Sequence, residues 1–211
     1  MGKKGILVVV SGFAGSGKGT LMRELTSRYE NYALSVSATT RKPRPGEEEG
    51  KEYFFKTTEE FQAMIAADEF IEYAQYVNNY YGTPRAYVEE QLKAGKDVIL
   101  EIEVQGALQV KEKFQTDTLL LFVTPPNANI LKKRLVGRGT EPMAVVGQRL
   151  LRASEEAEFI PDYDYLIIND NLEECVKTMN EIIQNEHVRA FRNSEFIKNI
   201  REGLLNLSKG E

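Results

Sequence analysis

Residues Ile6–Thr20, ILVVVSGFAGSGKGT, decide the fold. Ile6 to Val10 is an unbroken apolar, mostly β-branched run, the pattern of a strand buried on both faces. It leads into Gly12, Gly17 and Lys18 at the G-x-x-x-x-G-K spacing of a Walker A loop. A helix opening at Lys18 follows, with Arg23 and Leu25 inside it. Strand, glycine loop and helix in that order form a phosphate cradle. Glycines let the backbone wrap closely around oxygens, successive N–H groups point inward, and the helix start adds its positive dipole end. Lys18 then neutralises the outer phosphates.

The rhythm continues along the chain. Short apolar runs at Leu34 to Ser37, Val98 to Ile102, Leu119 to Val123 and Leu166 to Ile168 read as further core strands. Helical patterns at Val88 to Lys93 and Val104 to Phe114 separate them, so the spacing predicts a mostly parallel α/β sheet flanked by helices, of the P-loop type. Two segments break the alternation. Residues 37–83 turn polar and aromatic and read as an inserted subdomain; within it Thr57 and Glu60 have capping-box spacing, and Phe61, Met64 and Ile65 give the helix they open an apolar face. Residues 127–152 carry several arginines, glycines and Pro142, a composition suited to a flap over a ligand. The organisation expected is a domain over 4–185, with core 4–36 and 84–185, insertion 37–83 and lid 127–152, followed by a helical tail over 186–211.

Composition removes whole classes of function. The net charge of -5 speaks against a general nucleic-acid binder, which needs a basic face, so an anionic ligand must be caught by local arginines. No apolar stretch is long enough for a membrane span, and the chain is expected in the cytoplasm. With one histidine, His187, neither a multi-histidine metal site nor a histidine triad can be built. His187 is expected at the surface. Cys175 is expected buried among Leu172, Val176 and Met179.

Five blocks carry a resemblance: SVSATTRKPRPGEEEGKEYFF, EFIEYAQYVNNYYGTP, LEIEVQG, RLVGRGTE and IIND. In these, and in the GKGT ending of its glycine loop, the chain resembles the guanylate kinase family, from Gly5 to about Asn171. The resemblance implies ATP and GMP as ligands, magnesium as cofactor, and no nucleic-acid or membrane partner; it does not choose between monomer and homo-oligomer. It implies that Gly12, Phe13, Ala14, Gly15, Ser16, Gly17, Lys18, Gly19, Thr20 and Asn169 bind ATP. Ser37, Arg41, Arg44, Tyr53, Glu72, Tyr81, Thr83 and Glu103 then line the GMP pocket, and Lys18, Arg41, Arg138 and Arg149 serve phosphoryl transfer. The residue after Lys18, usually Ser or Thr for the metal, is Gly19; Thr20 and Glu101, acting through water, are the magnesium candidates.

The residue types suit these roles. Arg41 and Arg44 with the hydroxyls of Tyr53 and Tyr81 can grip one phosphate by charge-assisted hydrogen bonds. Guanine offers N1–H and an exocyclic amine as adjacent donors, which the acceptor-only carboxylates of Glu72 and Glu103 can read, whereas adenine lacks the N1 donor. Strand alternation places Phe70, Glu72 and Ala74 on one face and Ile71, Tyr73 and Gln75 on the other. Two other readings share this pattern: a catalytically silent protein-interaction domain, and a kinase for another nucleoside monophosphate.

Overall fold

The computed structural model describes residues 4–76, 78–137 and 142–209. Its central sheet contains β1 (Leu7–Gly12), β2 (Tyr32–Leu34), β7 (Asp97–Glu101), β8 (Thr118–Thr124) and β9 (Tyr165–Ile168). The strand order is β2-β7-β1-β8-β9 and each neighbouring pair is parallel. This is the expected α/β sheet.

Alternation along β1 builds two cores at once. Leu7 and Val9 face one layer, where α3 (Arg85–Lys93), α4 (Val104–Phe114), α5 (Ala128–Gly137) and α6 (Met143–Ala157) bring Val88, Val110, Leu131, Leu135 and Val146. Val8 and Val10 face the other, where α1 (Lys18–Arg28) and α7 (Leu172–Glu186) bring Leu21, Leu25, Val176, Met179 and Ile183. Each fully buried side chain of this kind contributes about 1.5–3 kcal/mol, which holds the helices where the loops between them can form a site.

A second sheet, in the order β4-β3-β6-β5, is built from β3 (Ser37–Thr39), β4 (Tyr53–Phe55), β5 (Phe70–Tyr76) and β6 (Asn79–Pro84). Helix α2 (Thr58–Ala66) covers it, and Phe61 stacks on Phe70 with ring centroids 4.4 Å apart. The capping box is present: Glu60 N–H donates to Thr57 Oγ1 at 3.1 Å and Thr57 N–H donates to Glu60 Oε2 at 2.7 Å.

The structure corrects three expectations. Leu34 to Ser37 is no single strand: Ser35 N–H still bonds Ile99 O beside β7, and from Ser37 the chain pairs with β4 and β6 in the second sheet. An apolar run is equally compatible with one strand and with a crossing between two sheets. Phe70 and Glu72 do not share a face, because a register shift lies between them. Phe70 enters the core under α2, while Glu72 lies against α4. His187 is buried, with Nε2 2.8 Å from Asp97 Oδ1. Asp97, at the start of β7, also accepts from Ile6 N–H, Asn31 Nδ2 and Gln184 Nε2, so the buried carboxylate recruits its partners from three parts of the chain. Cys175 is buried as expected, and α8 (Ser194–Ser208) has no buried residue. Among the described residues no helix is long and apolar enough to cross a membrane.

Gly12 closes β1 against β8. A β-carbon there would stand 2.1 Å from the Val123 carbonyl oxygen, and neither backbone can yield without breaking the ladder. Gly12→Ala is expected to cost about 3 kcal/mol of stability, read as a lower urea midpoint at unchanged slope.

Candidate active site

Residues 12–20 wrap the end of β1 and enter α1 at Lys18. Gly17 takes φ 95°, a left-handed conformation strained for any side-chain-bearing residue. A β-carbon on it would also meet Asn169 Nδ2 at 2.5 Å. The groove over the loop, about 280 Å³, is lined by Phe13, Ala14, Gly15, Gly17, Lys18, Gly19 and Thr20 together with Arg23 and Glu101. Lys18 Nζ donates to Gly12 O at 2.5 Å and Phe13 O at 3.2 Å, which seats the ammonium over the loop's mouth.

Gly12 and Ser16 support this groove without lining it. Ser16 is fully buried, and its carbonyl receives Asn169 Nδ2 at 2.9 Å and Arg134 Nη1 at 3.2 Å. Arg134 also donates to Asn169 O at 2.9 Å. The side chain of Asn169, which the resemblance placed at ATP, is thus turned to the loop's backbone. Arg134 clamps the same carbonyl, a contact no local pattern signals because 118 residues separate the partners.

On the second sheet, Arg41, Tyr53 and Tyr81 come together. The guanidinium of Arg41 lies 5.2 Å from the Tyr53 ring centroid, and the Tyr53 and Tyr81 rings are 6.1 Å apart. Burial, and next the neighbouring Tyr81, push the Tyr53 hydroxyl above its ordinary pKa. Arg41 is held by Glu47, whose Oε1 accepts from its Nη2 at 2.9 Å, while Glu47 Oε2 accepts from the Arg44 N–H at 2.8 Å. Glu47 is the first of three consecutive acids, and nothing in that run marks it as the partner of Arg41. Its hydrogen bonds from Arg41, and next from the Arg44 backbone, hold its carboxyl below the usual range. Arg44 itself is exposed, and Ser37 opens β3 half-buried.

Glu72 and Thr83 face each other in register across β5 and β6, and Thr83 Oγ1 donates to Glu72 Oε1 at 2.7 Å. Only 5% of Glu72 is exposed, so burial pushes its carboxyl above the ordinary range, opposed by the hydrogen bonds from Thr83 and by the charge of Lys113. Glu101 and Glu103 stand apart in chemistry. Glu101 ends β7 beside the phosphate loop; desolvation raises its pKa, the Lys18 charge lowers it and Glu103 raises it. Glu103 precedes α4 and pairs with Arg152 Nη2 at 3.1 Å, and Arg152 Nε also donates to the buried Glu156 at 2.9 Å. Glu101 lines the groove over the loop, and its charge is felt by Tyr53 as well as by Lys18. Arg149 lies half-buried on α6, and Arg138 falls outside the described residues.

A family model described as guanylate kinase matches residues 4–186. The chain is 50% identical over 192 residues to a guanylate kinase of Lactococcus lactis subsp. lactis, covering 91% of this chain and 93% of that one. It is 48% identical over 204 residues to a guanylate kinase of Enterococcus faecalis, covering 96% of this chain and all of that one. The crystal structure of guanylate kinase from Anaplasma phagocytophilum superposes with a TM-score of 0.73 at 32% identity, covering 90% of both chains.

Proposed function

We propose a mechanism from one premise: this chain belongs to the guanylate kinase family and transfers the γ-phosphoryl group of ATP to GMP, giving ADP and GDP. At this similarity neither the silent interaction domain nor a kinase for another monophosphate is favoured. The observation that supports the mechanism is Glu101, which lines the groove over the glycine loop and is within electrostatic reach of both Lys18 and Tyr53.

ATP enters the glycine loop, with its phosphates on backbone N–H groups and Lys18. GMP binds on the second sheet, where Arg41, Arg44, Tyr53 and Tyr81 take its phosphate. Glu72 and Glu103 take the guanine N1–H and amine. A carboxylate has about four acceptor positions, so Thr83 can occupy one of them on Glu72 without blocking the base. The attacking atom is an ionised phosphate oxygen, so no general base is needed and alignment plus electrostatics carry the rate. Arg149 and Arg138 neutralise charge that spreads over the transferring group.

The residues also fit magnesium. The groove offers Thr20 Oγ1 and the Glu101 carboxylate, hard oxygen donors few enough to leave the metal the waters and phosphate oxygens it prefers. Magnesium, when bound, supplies charge neutralisation on the ATP phosphates. The proposed setting is the cytoplasm, with small nucleotides as partners and neither nucleic acid nor membrane among them.

A coupled assay across GMP, AMP, UMP and TMP tests the substrate; appreciable turnover of another monophosphate above that of GMP overturns it. Arg41→Ala is expected to raise the KM for GMP about tenfold to a hundredfold, the value of a hydrogen bond to a charged group, with the KM for ATP little changed.

A further inference from the structure

Gly106 is the third residue of α4, within helix, where alanine is the better former. Its backbone is ordinary, so no left-handed conformation calls for glycine. What calls for it lies outside the helix. A β-carbon at Gly106 would stand 2.6 Å from Glu72 Oε2 and 3.2 Å from Glu72 Cδ, with Ile102 Cδ1 at 3.3 Å. The carboxylate is pressed onto the bare first turn of α4 from one side and held by the Thr83 hydroxyl from the other.

We propose that Gly106 is a specificity-positioning residue: by lacking a side chain it lets α4 serve as the stop that sets the pose of the Glu72 carboxylate. This rests on the reading of Glu72 as the guanine reader and adds what orients it. Glu72 is almost without solvent and α4 is bound to β5 independently, since Lys113 Nζ donates to Ile71 O at 3.1 Å. The first turn of α4 also brings the positive end of its dipole to a carboxylate that must be ionised to accept from the base. The atom a new β-carbon would displace is the far end of one side chain, so the fold survives and the pose does not.

Gly106→Ala is expected to raise the KM for GMP about 10- to 100-fold, the scale of a displacement near 1 Å, with the KM for ATP and the melting temperature held. An unchanged KM for GMP overturns the proposal. Glu72→Asp withdraws the carboxylate by one methylene; adding Gly106→Ala to it is expected to cost less than Gly106→Ala costs the native chain, and strict additivity overturns the proposal. Should Gly106→Ala fail to fold, rescue by Glu72→Asp supports the contact, and no rescue refutes it. Glu72→Gln separates the two levels: unchanged GMP kinetics there remove the reader itself, whereas a sensitive Glu72→Gln beside an insensitive Gly106→Ala removes only the positioning role.

Discussion

Lys18→Ala is expected to lower kcat about 10³-fold or more, the effect of removing a charge donor aimed at a transferring phosphoryl group. The ammonium sits over the loop, bonded to the Gly12 and Phe13 carbonyls, and its side chain is only partly buried. Its loss therefore leaves both cores intact, and the melting temperature is expected to move little. Lys18→Arg is not expected to restore turnover, because a planar fork cannot replace a compact charge in a loop this tight. A second consequence concerns Glu101. Burial already raises its pKa and Lys18 opposes that, so in the alanine variant the carboxyl protonates at still higher pH. Steady-state kinetics decide the matter: full turnover in Lys18→Ala removes the lysine from the mechanism.

Glu72→Gln is expected to lower kcat/KM for GMP about 10²- to 10³-fold, since an amide offers guanine's two donors one acceptor and a competing donor. ATP binding, measured by calorimetry, is expected to stay as it was. The pH dependence has a definite sign. Burial raises the folded-state pKa of Glu72 above its unfolded value, so its favourable contribution to folding is present in acid and lost as pH rises through the folded pKa. The ionised group thus works against stability at neutral pH, and Glu72→Gln is expected to melt no lower than the native chain. Guanine reading needs the ionised form. Protonation of Glu72 is therefore expected to contribute to the acid limb of kcat/KM for GMP from above the ordinary carboxylate range, and Glu72→Gln is expected to remove that contribution, leaving the limb of the GMP phosphate itself. Loss of ATP binding with GMP kinetics preserved would reverse the assignment of the two sites.

The phosphate loop, the parallel sheet around it and the capping box at Thr57 were legible in the chain because each depends on neighbours within a few residues. The opening of a helix at Lys18 and the burial of Ile6 to Val10 follow from local spacing, and an aligned run such as Leu119 to Val123 has few other places to go. Residues drawn together over long separations were not legible. Glu47 was not legible either, although its partners lie only six and three residues away: one acid of three in a row, it turns back to hold Arg41 and the Arg44 N–H. His187 looked exposed, yet it satisfies Asp97, 90 residues away, and nothing local signals that Arg134 reaches the carbonyls of Ser16 and Asn169.

The chain by itself determined where the glycine loop and its lysine lie and which residue types could read a base, because glycine spacing and donor–acceptor chemistry are properties of short segments. Only the tertiary structure decided how those residues are aimed. A one-residue register shift in β5 turned Glu72 away from Phe70's face, and a bare turn of α4 received it. The physical reason is close packing: a buried carboxylate takes its pose from whatever atoms, or missing atoms, surround it, and those come from elements the local sequence does not mention.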